Sequence, residues 1–534
     1  MKRLGFSLLT FFTVSAVLFA SGGQQQQSGA ASGSGAVTIT VEIFDRGTDG
    51  GKTDPANNKW TAWIKEKILK DENIIVNFVS VPRWTETEAL INLFAAGNPP
   101  DVCYTYSSDN IQMWADQGGV YDVSPYLNSI LKDLNAFLGP DTARPGHQLI
   151  ERNVDLGSGK VYSMPAKRMN IANQNLFIRK DWLDILGLPV PQTTQQFWDA
   201  LVTFRDNAAR LGVSRVIPYS MAADRPDALL GIIMEAFINP SLSDKERWIS
   251  TVVDRNFLVE GYKEGVRFAN RMYNANLIDK DWPLYKDMDT GPADLIKSGI
   301  VGAFCWNWDV PYRESYNLLT DLRKNVPNAD YIPVDCIQSS DGKTHTTSYD
   351  IVGLNYFIPA ASKNPEAAMR YLNWLAKYDN YHFIQTGPLG ITHTIGSDGV
   401  VKLDPSATAD PTWIINSSQN IDYTMMMNGL FLESDEASIR ALAAGYSAPA
   451  DVIQYAYNVS LTNSRPPVFV KPRSALTVAG PLSQTLQDKA RVIFTQSINC
   501  APENFDRIYD AGIADWLASG ARAIMDERRA KYPE

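Results

Sequence analysis

A chain of 534 residues is longer than one small core needs, so two or more domains are expected. Its 45% hydrophobic and 20% charged residues are those of an ordinary water-soluble globular protein. A formal net charge of −10, with no long basic stretch, argues against nucleic acid as a partner, because that requires a positive footprint.

The chain opens with Lys2 and Arg3, followed by a mostly apolar run from Leu4 to Ala20. A basic start and a short apolar stretch make residues 1–22 a signal peptide, short and wrongly flanked for a transmembrane helix, with a membrane anchor as the alternative reading. Residues 23–36, rich in Gly, Gln and Ser, read as a flexible linker. Leu18-Phe19-Ala20-Ser21 has the outline of a lipoprotein cleavage box with Ser21 where the lipidated Cys should stand. A hydroxyl cannot form the thioether, so lipid anchoring is not expected and the location is periplasmic or secreted.

The mature chain begins with a predicted strand, VTITVEIF at 37–44, alternating β-branched and polar residues. A glycine-rich loop, 45–53, leads to a helix over 58–70 and a second strand over 73–80. The next helix, 86–96, carries Ala89, Leu90, Leu93 and Phe94 on one stripe. Gly97 suits a left-handed end, and Pro99 and Pro100 forbid continuation. Asp101 to Tyr104 then starts a short apolar strand whose polar, aromatic tail runs to Asp109. This alternation is α/β order with a largely parallel sheet. Ligands of such sheets bind beyond the carboxyl ends of the strands.

Further on, GVYDVSPYL at 119–127 reads as a surface turn and GKVYSMP at 159–165 as one strand of a hairpin. A strand at 176–179 runs into a helix that Gly187 ends. Thr194 is placed to cap another helix over 195–210. The middle, from about 218 to 292, is mostly helical. Strands follow at 300–306 and 351–359, then an amphipathic helix over 361–377. The last ~55 residues are helical in pattern and end on a charged, exposed tail.

Most catalytic patterns fail on inspection. RGTDGGKT at 46–53 misses a phosphate loop by one residue, with Arg46 where Gly is needed. His147, His345, His382 and His393 lack metal-ligand spacing, and no nucleophile elbow is present. Asp287 to Gly291 hints at a calcium loop, but Ser298 stands where its closing Glu belongs. A glycosidase would need two carboxylates some ~5–10 Å apart, for which Asp45, Asp109, Asp309 and Glu433 are candidates. Cys103, Cys305, Cys336 and Cys500 are scattered; an oxidising compartment allows a disulfide, although Cys103 and Cys305 read more simply as buried strand residues.

What survives is aromatic. Trp306-Asn307-Trp308-Asp309 and Tyr104 to Tyr106 end two apolar strands, and Trp84 lies in a turn before a helix. Aromatic faces cover the apolar faces of sugar rings, while Asp and Arg bind hydroxyls.

In order along the chain, these segments resemble the extracellular solute-binding proteins of bacterial ABC transporters, within the sugar-binding family that includes maltose-binding protein. The carriers are VTITVEIF, LFAAGNPPDV, GGVYDVSPYL, GKVYSMP, LFIRKDWLDILGLPVPQTTQQFWDAL, IVGAFCWNW, IPAASKNPEAAMRYLNWLA and GPLGIT. The length is similar to that of a long branch with lipoprotein and alginate-oligosaccharide-binding members. Many of those carry a calcium loop where this chain reads RDNAARLGVSRVIP, at 205–218. Asp206 and Asn207 remain, but the alternating oxygen ligands are gone, so no metal is expected there.

The resemblance implies a two-lobe α/β fold with mostly parallel sheets and a hinge crossed several times. It places 37–168 and 348–455 in the amino lobe, and 169–347 and 456–534 in the carboxyl lobe. The implied function is capture of a carbohydrate, most simply an oligosaccharide, in the cleft by a monomer that delivers it to a membrane permease, without catalysis or cofactor. The rivals are a secreted polysaccharide hydrolase and a receptor for a non-sugar solute such as a peptide. By position, Asp45 and Arg46 match the family's first polar contact. Tyr104, Tyr106 and Asp109 match the contacts that follow its P-D-V segment. Trp306 matches the stacking residue of the second lobe. Trp84, Arg168, Trp308 and Asp309 complete the expected ligand set.

Overall fold

The computed structural model describes residues 35–534 apart from 48–50, 143, 224–228, 290, 314–315, 405, 415–420, 428 and 534. The expected signal peptide and nearly all of the linker lie outside the described residues. In chain order the strands are β1 Val37–Asp45, β2 Ile74–Pro82, β3 Cys103–Thr105, β4 Met164–Arg168, β5 Gln174–Arg179 and β6 Ile217–Ser220. They continue as β7 Val301–Asn307, β8 Tyr331–Val334, β9 Val352–Phe357, β10 His393–Ile395, β11 Val401–Leu403 and β12 Met426–Met427.

β1 and β2 pair in parallel from Val37↔Ile74 to Asp45↔Pro82. The helix between them, Lys59–Glu72, starts on a capping box: the Asn58 side chain accepts from the Trp60 and Thr61 N–H groups, and the Thr61 hydroxyl accepts from Asn58 N–H. The next helix, Glu86–Ala95, ends as its sequence predicts. Gly97 adopts φ +67°, and the Asn98 N–H donates to the Leu93 carbonyl at 3.0 Å. The chain emerging from Pro99 and Pro100 meets β1, where Glu42 N–H donates to the Val102 carbonyl at 2.9 Å. β3 then runs antiparallel to β9, β9 antiparallel to β4, and β12 parallel to β4. Ile39, Ile64, Leu354, Tyr356 and Leu372 are central to the core of this lobe.

The second sheet has the order β6-β7-β5-β8. β7 lies parallel to β6, and β5 runs antiparallel to both β7 and β8. Its core gathers Leu176, Phe177, Phe204, Val266, Phe304 and Phe494. Both sheets are therefore mixed, which corrects the expectation of mostly parallel pairing. β5 and β9 are each reached from the other lobe. They do not arise from a helical crossover on their own sheet, and that crossover is what makes neighbours parallel.

The chain changes lobe beside β4. Arg168 N–H donates to Ile351 O at 2.7 Å, Met169 N–H to Met427 O at 2.9 Å, and Tyr349 N–H to Ile171 O at 2.8 Å. The return after β12 comes earlier than the expected boundary at 455. Ala443, Ile453 and Ala456 pack in the second core, and the Asn175 amide donates to the Ala456 carbonyl at 2.8 Å. Thr193, rather than Thr194, caps the helix Thr194–Asp206, its hydroxyl accepting from Gln196 N–H at 3.1 Å. That helix stops at Asp206, four residues before the expected end, where Asn207 leaves helical geometry and its amide caps the Thr203 carbonyl.

All four cysteines are thiols, with Cys103, Cys305 and Cys336 buried. Desolvation pushes the pKa of each of these three thiols up, which leaves little nucleophilic thiolate. Among the described residues no helix is long and apolar enough to cross a membrane.

Candidate functional site

Past β3 the chain turns into the helix Ser108–Asp116. The Ser107 hydroxyl caps it by accepting from Asn110 N–H at 3.2 Å, and Asp109 stands in the first turn, where the helix dipole favours a carboxylate. Glu86 fixes this turn. Its Oε1 accepts from the Thr105 hydroxyl at 2.8 Å and from Tyr106 N–H at 3.2 Å, and its Oε2 accepts from Arg83 Nη1 at 3.2 Å. The Arg83 guanidinium lies 3.9 Å from the centre of the Tyr106 ring. Phe44 is stacked with that ring at 6.3 Å and 12° between the planes, and the same guanidinium lies 5.3 Å from its centre. Trp84, next along the chain, is 76% exposed.

An extended segment from Arg465 to Leu476 faces this turn from the carboxyl lobe. Pro466, Pro467 and Pro472 keep it out of a helix. Side chains of an extended chain alternate in direction. Val468 and Val470 pack with Trp248, Ile249 and Leu476 of the carboxyl lobe. Phe469, between them, reaches the amino lobe, where the guanidinium groups of Arg152 and Arg144 lie 4.8 and 5.5 Å from its ring centre. Between the two walls is a cavity of about 320 Å³. Tyr106, Asp109 and Asn355 line one side; Trp248, Lys471 and Arg528 line the other.

The charges here are unevenly satisfied. Arg152 donates to both oxygens of Asp141, at 2.6 and 3.1 Å, and to Asp350 at 2.5 Å. Asp109 is open to solvent at the surface of its helix, yet crowding by the facing lobe raises its carboxyl above the usual range against the pull of Arg528. Lys471 is pulled down to about 8, chiefly by burial, with Asp155 opposing and Arg144 reinforcing the fall. Arg528 spends Nη1 on the Trp248 and Thr251 carbonyls. Arg168 packs its guanidinium 4.6 Å from the Tyr349 ring centre. It sits against Gly353, which also lines the cavity; a Cβ there would come 2.9 Å from Arg168 Nη2 and 2.2 Å from Met427 Sδ.

Of the residues singled out from the sequence, Tyr106 and Asp109 line this cavity, Arg168 stands directly behind it, and Trp84 lies beside Arg83. Asp45 ends β1, its Oδ1 accepting from Gly47 N–H at 2.9 Å. Four expectations are corrected. Tyr104 is fully buried, its ring 4.4 Å from Phe44 and its hydroxyl accepting from Phe44 N–H, because residue 104 is still inside the sheet. Trp308 is wedged edge-on against Tyr446 and Tyr457. Asp309 accepts from Arg313 at 2.8 Å and from the Tyr446 hydroxyl at 2.6 Å, so both its oxygens are engaged. Arg46 forms a two-pronged pair with buried Asp422, at 2.7 and 2.8 Å. Trp306 keeps 9% exposure, edge-on to Tyr316 at 5.3 Å.

The sequence reading missed Arg83, Trp248, Phe469, Lys471 and Arg528. A usable signal existed for two of them: prolines flanking the alternating Val468-Phe469-Val470-Lys471 mark an extended, non-helical strap. Arg528 lay in a tail read as solvated, and burial against Trp248 corrects that reading. Of the glycosidase candidates, Asp109 lines the cavity, whereas Asp309 is buried and Glu433 accepts from the Tyr378 hydroxyl at 2.7 Å. In the stretch 205–218, where the resemblance pointed to a lost calcium loop, Arg205 grips Asp206 at 2.7 and 2.9 Å. Among the described residues no group of three or more His, Cys, Asp or Glu is placed to hold a metal.

Known proteins agree with this architecture. The HMO binding ABC-transporter associated solute-binding protein of Bifidobacterium longum infantis superposes with a TM-score of 0.65 at 16% identity, covering 93% of this chain and 98% of that one. Streptococcus pneumoniae FusA in complex with fructo-nystose gives 0.62 at 17% identity, covering 92% and 98%. In sequence, the polygalacturonan/rhamnogalacturonan-binding protein YtcQ of Bacillus subtilis is 21% identical over 396 residues, 70% of this chain and 75% of that protein. The family model described as "Bacterial extracellular solute-binding protein" matches residues 52–381, and the chain belongs to that family.

Proposed function

We propose that this protein captures a carbohydrate, most simply an oligosaccharide, between its lobes and delivers it to the permease of an ABC importer. The observation that carries the reading is a cavity walled by Tyr106 and Asp109 from one lobe and by Trp248, Lys471 and Arg528 from the other. A ligand touching both walls stabilises the arrangement in which the lobes meet, and that arrangement is what a permease can read. Relatives named for polygalacturonan, rhamnogalacturonan and fructooligosaccharide support a sugar. In this reading Tyr106, Trp84 and Trp306 offer ring faces, and Asp45, Asp109 and Arg168 offer polar contacts. The protein acts as a monomer without catalysis, cofactor or nucleic acid. It is free in the periplasm or secreted, since Ser21 cannot take the lipid of a lipobox cysteine.

Calorimetry of the mature protein against a panel of mono- and oligosaccharides tests this. Tyr106→Ala is expected to weaken the best sugar at least tenfold while leaving the melting temperature within a few degrees. Unchanged affinity in Tyr106→Ala places the ligand elsewhere. Turnover of the bound glycan would establish the hydrolase instead.

A further inference from the structure

We infer that the ligand is an acidic oligosaccharide, a sugar chain carrying uronate carboxylates, held by Lys471 and Arg528 on the wall that the carboxyl lobe supplies. The inference rests on the proposed carbohydrate reading of this cavity and names the class of sugar.

The argument is one of unmatched donors. Lys471 Nζ, Arg528 Nε and Arg168 Nε are each buried with no hydrogen-bond partner among the described residues. A buried cationic donor left unpaired is among the costlier features a fold can retain, so buried charges are normally paired. The acids nearby do not fill that role. Asp350 is taken by Arg152, which also neutralises Asp141. Asp155 turns its Oδ1 to the backbone and hydroxyl of Ser158, both at 2.6 Å. Glu527 accepts from Lys531 and from Thr477. Asp109 remains on the cavity wall and lies within the electrostatic reach of Arg528. Asp109 and Asp350 both line the cavity, and with Asp350 engaged by Arg152, Asp109 is left to face Lys471 and Arg528.

The same donors suit a uronate better than a neutral sugar. A carboxylate presents acceptors only, which matches ammonium and guanidinium donors. A hydroxyl would leave their charge uncompensated. Lys471 and Arg528 are two separate cationic donors on one wall, which suits a chain with carboxylates on successive residues, and Tyr106 faces them from the other wall. Burial has also pulled Lys471 toward neutrality, as expected of an ammonium that lacks a close counter-charge.

The experiment is calorimetry of the mature protein with oligomers of galacturonate, glucuronate and mannuronate, their methyl esters, and neutral oligomers of galactose, fructose and glucose. At least one uronate oligomer is expected to bind, with its methyl ester weaker by tenfold or more. Lys471→Met should remove most of that preference, and Lys471→Arg should retain it. Should the overall fold suffer in Lys471→Met, the ester comparison on the unaltered protein decides alone. The inference is overturned if a neutral oligomer binds as tightly as every uronate, or if no uronate binds. A neutral oligomer weakened by Tyr106→Ala but indifferent to Lys471→Met would leave the cavity as the sugar site and remove only its acidic character. Loss of both sensitivities would remove the cavity itself.

Discussion

The reassignment of Arg46 makes the sharpest prediction about this fold. By sequence it is a ligand contact; in the structure it clamps the end of β1 to Asp422, with the two side chains 14% and 1% exposed. Asp422 also lies close enough to Glu42 for the two carboxylates to repel. Replacing Arg46 by Met keeps the aliphatic bulk but leaves Asp422 as a buried carboxylate with its main counter-charge gone. Breaking one partner of a buried pair costs about 3–5 kcal/mol. For a lobe of this size each kcal/mol lowers the melting temperature by about 2–4 °C, so Arg46→Met should melt about 6–20 °C early. Adding Asp422→Leu should restore much of the loss, because removing both charges is far less costly than removing one. The assay is thermal and urea unfolding of the two single variants and the double variant, with calorimetric titration of the best sugar alongside. The reasoning is refuted if Arg46→Met unfolds like the parent while losing sugar affinity, for Arg46 would then be the ligand contact its position first suggested.

Other outcomes follow from neighbouring contacts. Trp308→Ala empties a site that is 2% exposed and should cost about 3–5 kcal/mol of stability with sugar affinity retained; lost affinity without lost stability would return Trp308 to the ligand set. Phe469→Ala removes two cation–π contacts from the facing lobe, of about 0.5–1 kcal/mol each, and should weaken ligand about five- to thirty-fold without altering the melting point of the unliganded protein. An unchanged dissociation constant would show that the strap does not help hold the lobes together. Glu42 is fully buried, and desolvation, reinforced by Glu86 and Asp422, holds its carboxyl well above the usual range. The folded state therefore binds this proton more tightly than the unfolded state, and stability drains away as pH rises above the ordinary glutamate range of about 4.3. Glu42→Gln should accordingly melt higher than the parent near pH 8 and lose that advantage near pH 5, a trend that parallel melting curves would confirm or deny.

How much of this was legible beforehand depended on range. Gly97 and its prolines end a helix by rules that act within a few residues, and the sequence reading located that end correctly. The alternation in VTITVEIF marked a strand for the same reason, and the ordered segments from 37 to 392 marked the family. The walls of the site were another matter. Tyr104 and Tyr106 are two residues apart and chemically alike, yet one is sealed beneath Phe44 and the other faces the cavity, because the sheet ends between them. Asp309 and Arg46 look like ligand-binding residues until Tyr446, Arg313 and Asp422 arrive from distant parts of the chain to satisfy them.

The sequence by itself determined the local elements, the family and the absence of a basic footprint, since capping, periodicity and net charge need no partner. Only the tertiary structure decided which polar groups are paired. Burial and hydrogen bonding are settled by whichever side chains meet across the fold, and here Tyr106, Lys471 and Arg528 meet from opposite lobes. That meeting, rather than the residue types alone, makes the cleft between them a candidate for an acidic sugar.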